Sequence, residues 1–175
     1  MQLTQQHLAQ LIALAKNDVP NETCGIIAGK DGRALKVFAL PNNAPSPLTE
    51  YNAEPHALLE AFREIESRRW EHLAIYHSHP ASPAYPSPTD IARAFYPDAL
   101  YLIISLMNPE QTSVRAFRIA HGKVDEVTLE VEDDEPSTAN SRRPAGRASR
   151  SNPRRAVAAL SRRRPASGNA RRPRR

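Results

Sequence analysis

The apolar patterning of this chain stops at Val131 and does not resume, so whatever core it builds must come from the residues before that point. Beyond the acidic run Glu132–Glu135, the composition turns to Ser, Ala, Arg, Pro, Gly and Asn. Residues 136–175 hold 13 arginines and no acidic residue, whereas residues 1–135 hold 11 Lys/Arg against 19 Asp/Glu. The formal charge of +5 therefore describes the tail and hides an acidic domain. A segment of the tail's composition cannot bury enough apolar surface to offset its chain entropy, which predicts disorder over 136–175. Residues 1–135 are long enough for one domain with a core of its own.

Within that domain the period of the apolar residues changes from segment to segment. Leu3, Leu8, Leu11, Ile12 and Ala15 keep a helical spacing, with Thr4 as N-cap and Asn17, Asp18 and Pro20 closing the element. Cys24–Ala28 and Ala34–Leu40 read as strands joined by a turn at residues 29–32. Leu58, Leu59, Phe62 and Ile65 form one stripe of a helix over 54–67, with Pro55 at an early position. Leu73–His77 and Tyr101–Leu106 are apolar on both faces and read as central strands. Ser113–Ala120 and Lys123–Val131 follow as two further strands, the second with one wet face. The predicted order is αββαβαβββ, an α/β fold in which a mixed sheet carries helices against it.

The chemistry concentrates in residues 77–90, His-Ser-His-Pro-Ala-Ser-Pro-Ala-Tyr-Pro-Ser-Pro-Thr-Asp. Side chains alternate along a strand, so His77 and His79 point to the same side, from the rim where the strand ends. Asp90 stands in the first turn of a short predicted helix, behind a loop stiffened by Pro80, Pro83, Pro86 and Pro88. Two imidazoles and a carboxylate suit one zinc ion with a coordination position left open for hydrolysis. The competing reading is structural, because Ser87-Pro88-Thr89-Asp90 is also an S-x-x-D helix cap with proline at the first position. The two readings are compatible, since a capped helix is a rigid mount for a ligand. Glu22, just before an apolar strand, is the candidate base for the proton of an attacking water. Ser87's hydroxyl could hydrogen-bond an oxyanion as well as cap its helix.

Glu22, His77-Ser78-His79, Ser87 and Asp90 together resemble the JAMM (MPN+, Mov34/PAD-1) metalloprotease motif, E…H-S/T-H-x7-S-x2-D, with every position present. The stretch Pro20–Gly29 is similar to the strand that bears the family's glutamate, and the order of elements agrees over about residues 1–131. The resemblance implies a curved mixed sheet flanked by helices. It also implies zinc on His77, His79 and Asp90, one ion per chain. Glu22 would be the general acid/base and Ser87 the oxyanion partner. The implied reaction is hydrolysis of the peptide or isopeptide bond after the C-terminal Gly-Gly of a ubiquitin-like protein. The short span from Asp90 to the strand at Tyr101 most resembles compact prokaryotic members, among them peptidases that release cysteine from a ubiquitin-like sulfur carrier. Removal of ubiquitin-like modifiers from lysines is the alternative within the same chemistry.

Other classes weigh against specific residues. Cys24 as a nucleophile is disfavoured by its place inside an apolar strand. A non-catalytic scaffold is disfavoured because all three ligands and the glutamate are present. His7, His56, His72 and His121 have no partner spacing and are expected to face solvent. The tail's arginines could attract phosphates or an acidic partner, but no aromatic is interleaved for base stacking. One cysteine allows no intrachain disulfide, no stretch reads as a signal peptide, and the apolar run Ala99–Met107 is too short to span a bilayer, which together predict a soluble cytoplasmic protein.

Overall fold

The computed structural model describes residues 1–108 and 110–134. The domain boundary expected at 135 and the disorder expected over 136–175 lie outside the described residues. The chain runs β1 (Gln2–Thr4), α1 (Gln5–Asp18), β2 (Cys24–Lys30), β3 (Arg33–Leu40), α2 (Pro55–Arg68), β4 (Glu71–His79), α3 (Pro88–Ala92), β5 (Leu100–Ser105), β6 (Ser113–Ala120), β7 (Lys123–Val127) and β8 (Glu130–Glu132). The strands form one sheet in the order β7-β6-β5-β4-β2-β3-β1-β8. β4 and β5 run parallel, as do β1 with β3 and β1 with β8, while the remaining pairs are antiparallel.

The mixed sheet and its flanking helices follow the expected fold class, and β4 is central as its two apolar faces require. One face carries α1, where Leu11 and Ala15 pack with Ala74 and Tyr76 of β4 and Leu102 and Ile104 of β5. The opposite face holds two separate cores. Ala61 and Ile65 of α2 cover Cys24, Ile26 and Leu40, while Ile91 of α3 packs with Tyr101, Ile103 and Phe117. Between these two cores runs a cleft, and the histidine end of β4 lies on that same face.

The termini of the helices explain their positions. Thr4 caps α1 by accepting from the His7 backbone N–H, and His7 Nδ1 accepts in return from Thr4 N at 3.3 Å. Glu54 is the N-cap of α2, its carboxylate accepting from the N–H groups of His56 and Ala57. Arg69 ends that helix in the left-handed conformation, at φ 55°.

The structure departs from the sequence expectation at both edges of the sheet. Lys123–Val131 is not one strand. It breaks after Val127, and residues 130–132 pair instead with Gln2–Thr4, a strand too short to show a period. β7 and β8 are opposite ends of the sheet order, yet only Thr128 and Leu129 separate them. Three residue steps reach roughly 11 Å at full stretch, so the sheet has to curl until its edges approach each other. Leu129 and Val127 pack against the α1-side core as it closes.

His72 is also corrected. It does not face solvent: its Nε2 is buried and its ring lies edge-on to Phe62 and Tyr96, at centroid distances of 5.3 and 5.2 Å. The β2–β4 register slips between Ile27 and Ala28, which pair with Ala74 and His72, leaving Leu73 as the extra residue. Such a bulge reverses the alternation, turning His72 toward α2. Burial holds its pKa below the ordinary histidine value. His7 likewise has a partner, in the cap of α1, while His56 and His121 are exposed as expected.

Candidate functional site

β4 carries the apolar run Ala74-Ile75-Tyr76 into the centre of the sheet and then presents His77 and His79 from one face at its end, both buried. The proline-rich loop returns the chain to α3, where Ser87 is the N-cap and Asp90 the third residue. The capping box is complete: Asp90 N donates to Ser87 Oγ at 3.1 Å, and Ser87 N donates to Asp90 Oδ2 at 2.7 Å. The cap expected of this segment is present, and it aims the Asp90 carboxylate at the two rings.

Three atoms of the candidate ligand set converge. His77 Nε2 lies 3.1 Å from His79 Nε2, and Asp90 Oδ2 lies 3.4 and 3.5 Å from those two nitrogens. Ligands of a tetrahedral zinc, each about 2.0–2.1 Å from the metal, stand about 3.3–3.4 Å from one another, so the set has the span of a zinc site. The proton inventory agrees. His79 Nδ1 lies 2.8 Å from the carbonyl oxygen of Pro83, which can only accept. A neutral His79 donating there turns a lone pair from Nε2 toward the Asp90 oxygen. Electron-rich atoms at this separation, almost shut off from water, call for a cation among them.

The titration behaviour carries the same information. Burial would raise the Asp90 carboxyl, but the His77 and His79 rings beside it and the cap at Ser87 hold it well below the usual carboxylate range. Burial keeps His77 below its ordinary value and outweighs the pull of Asp90. For His79 burial acts in the same sense, but Asp90 and the Pro83 carbonyl outweigh it and the pKa rises.

Glu22 is 5% exposed, and among the described residues its carboxylate takes no hydrogen-bond partner. Burial lifts it from 4.5 to about 7, opposed by the charge of His79 and reinforced by Asp90, which places it within electrostatic reach of the ligand cluster. A carboxyl that titrates near neutrality is poised to exchange protons. Its backbone is tightly held: Glu22 N donates to Pro47 O at 2.7 Å, and Asn42 Nδ2 donates to Glu22 O at 2.9 Å. Ser87 Oγ accepts from Asp90 N in the cap, and its rotatable O–H is a donor beside the Asp90 carboxylate, whose pKa it helps to lower. Cys24, by contrast, is 1% exposed, its thiol pushed up to about 12 by burial, and it is unsuited to nucleophilic attack.

Three supporting residues escaped the sequence reading. Ser78, between the ligands, points to the other side of β4 and accepts from Thr23 N at 2.9 Å, while its own N–H donates to Thr23 O at 3.0 Å. It thereby ties the segment bearing Glu22 to the strand bearing the histidines. Tyr51 stacks on His77 with ring centroids 4.4 Å apart. Asn42 joins Glu22 to the 50–52 segment through hydrogen bonds from Nδ2 to Glu22 O and Glu50 O. Only Ser78 left a trace in sequence, as the middle residue of His-Ser-His.

The cleft beside this cluster has a volume of about 460 Å³, and its lining includes Thr89, Asp90, Ile75, His72 and Phe62. Glu50 and Arg93 line it too and form an ion pair at 3.1 Å. Among the described residues, no helix is long and apolar enough to cross a membrane.

Residues 4–120 match the family of prokaryotic homologs of the JAB domain. The chain is 36% identical over 122 residues to the CysO-cysteine peptidase of Mycobacterium tuberculosis strain H37Rv, covering 69% of this chain and 84% of that protein. It is 43% identical over 114 residues to the probable TtuB-protein conjugate cleaving protease of Thermus thermophilus, covering 65% and 71% of the two chains. The solution structure of a Desulfitobacterium hafniense protein superposes with a TM-score of 0.69 at 34% identity, covering 76% of this chain and 93% of that one.

Proposed function

The chain belongs to the family of prokaryotic JAB-domain proteins, and from that premise we propose that it is a zinc-dependent peptidase cleaving after the C-terminal Gly-Gly of a ubiquitin-like protein. The observation that carries the reading is the convergence of His77, His79 and Asp90 within zinc-ligand separation, beside a buried carboxyl that titrates near neutrality. His77, His79 and Asp90 hold one zinc ion per chain. When bound, the metal supplies a Lewis acid that polarises the scissile carbonyl and brings the pKa of water toward neutrality.

The chain's own residues do the rest. Glu22 takes the proton of the attacking water and returns it to the departing amine as the C–N bond breaks. Ser87 donates its O–H to the carbonyl oxygen as that oxygen gains charge. Ser78 and Asn42 keep Glu22 in register with the ligands, and Pro83 fixes the tautomer of His79.

The leaving group we favour is cysteine, released from a ubiquitin-like sulfur carrier in cysteine biosynthesis, in line with the name of the mycobacterial relative. Cleavage of carrier–protein conjugates is the second reading, supported by the Thermus relative. We assign the reaction to the cytoplasm, in keeping with a single free thiol. The test is incubation of the zinc-loaded protein with carrier–cysteine and carrier–lysine conjugates, with products identified by mass spectrometry. Release of the amine, abolished by a chelator, is expected. Intact conjugates in the presence of bound zinc would rule the activity out.

A further inference from the structure

A carrier that ends in cysteine and one joined to a lysine side chain present the same Gly-Gly but different leaving groups. Cysteine departs as an α-amine with a carboxylate on the adjacent carbon. Lysine departs as an ε-amine with only methylenes nearby. A cation beside the departing residue's carboxylate would favour the first, and the cleft that Asp90 lines contains one.

Arg93 follows the ligand Asp90 by three residues, one turn on along the same side of the chain, and both line the cleft. Among the described residues lining this cleft, Arg93 carries the guanidinium and no lysine is present. Glu50, across the cleft on the segment that also bears Tyr51, accepts from Arg93 Nη1 at 3.1 Å. Among the described residues the contact engages one corner of the fork, leaving Nε and Nη2 for a second anion. The side chains of Arg93 and Glu50 are 52% and 33% exposed, so an arriving carboxylate can reach the guanidinium from solvent. The other walls, Phe62, Ile75 and Tyr96, give a thiol side chain an apolar surface.

We propose that Arg93 is a specificity-determining residue that binds the free α-carboxylate of the departing amino acid, so that the enzyme favours carriers extended by a C-terminal residue over lysine-linked conjugates. The proposal rests on the peptidase reading above. Glu50 holds the guanidinium over the cleft and competes with the substrate carboxylate for it. On hydrolysis the C–N bond breaks, the water oxygen stays with the terminal glycine, and the amine leaves with its proton while Arg93 retains the carboxylate.

The experiment uses one ubiquitin-like carrier ending in Gly-Gly in three semisynthetic forms: extended by cysteine as the free acid, by cysteine carboxamide, and joined to a lysine ε-amine. With the full-length, zinc-loaded protein, kcat/KM for the free acid should exceed that for the carboxamide by about tenfold or more, since a charge-assisted hydrogen bond is lost in the amide. In Arg93→Ala that ratio should fall close to one, with zinc content retained. Arg93→Lys should restore part of it, and Glu50→Gln should raise it above wild type. A wild-type ratio of one overturns the assignment without recourse to any variant, as does a ratio that survives in Arg93→Ala. If zinc is bound and none of the three forms is cleaved, the peptidase reading itself falls.

Discussion

Glu22 shows how one side chain's surroundings set its role. A carboxylate just ahead of a strand would ordinarily sit in water, but here it is buried without a hydrogen-bond partner among the described residues and is lifted to about 7. Glu22→Gln keeps the shape and removes the proton acceptor, so kcat should fall by on the order of a hundredfold or more with zinc content unchanged. A fully active, metal-loaded Glu22→Gln enzyme would remove this residue from the mechanism. The same burial has a consequence for the metal-free protein. A carboxyl whose pKa is raised on folding favours the folded state at low pH, and that contribution is lost as pH rises from 4.5 through about 7. Metal-free wild type should therefore lose thermal stability between pH 5 and pH 8 relative to Glu22→Gln, which melting curves at the two pH values will show. For the ligands, His77→Ala and Asp90→Ala should each lose the metal, as read by metal analysis. Because Asp90 and the Pro83 carbonyl raise the pKa of His79 despite its burial, protons should compete for zinc from a higher pH than at an ordinary imidazole. Occupancy that persists unchanged to pH 5 would contradict that.

At the scale of elements, the site depends on two short connections. α3 has only five residues and is held by its cap. Ser87→Ala should cost about 1 kcal/mol and lower both activity and zinc affinity, whereas Ser87→Thr should keep the affinity near wild type. Equal zinc affinity in the alanine and wild-type proteins would show that the box does not position Asp90. The second connection is Ser78 to Thr23, between β4 and the segment entering β2. Ser78→Ala leaves a buried N–H without its acceptor, at a cost of about 1–3 kcal/mol. It should lower kcat more than it raises KM, with zinc still bound, because Glu22 loses its register with the ligands. These elements were legible in the sequence to different degrees. The cap of α1 at Thr4, the stripe of α2 and the S-x-x-D start of α3 are local signals and lie where periodicity and capping chemistry place them. The turn of His72 toward α2 was not legible, because a bulge depends on how β2 pairs with β4 and leaves no mark in either strand.

For the whole molecule, the decisive feature is the curl of the sheet. It brings β8 against β1 and places Leu129 on the α1-side core. A chain ended after Thr128 should therefore melt lower by about 5 °C or more, whereas one ended at Glu135 should melt within a few degrees of the full chain. Equal melting temperatures for all three would mean that the β1–β8 pairing contributes nothing. The chain ended at Glu135 also tests whether the arginine-rich tail helps recruit an acidic substrate: kcat/KM equal to that of the full chain at both low and high salt would exclude such a role.

Read alone, the order of residues determined both long helices, the central strands, that the two histidines share a side, and that Asp90 stands in the first turn of a capped helix. Each of these follows from periods and caps that act over a few neighbours. Only the tertiary structure decided that Tyr51 stacks on His77, that Ser78 and Asn42 hold Glu22, that Arg93 and Glu50 span the cleft, and that residues 130–132 return to the N-terminal strand. Those contacts join residues tens of positions apart, and their partners are chosen by how the sheet curls and how its two cores on the histidine face divide, which no local pattern records.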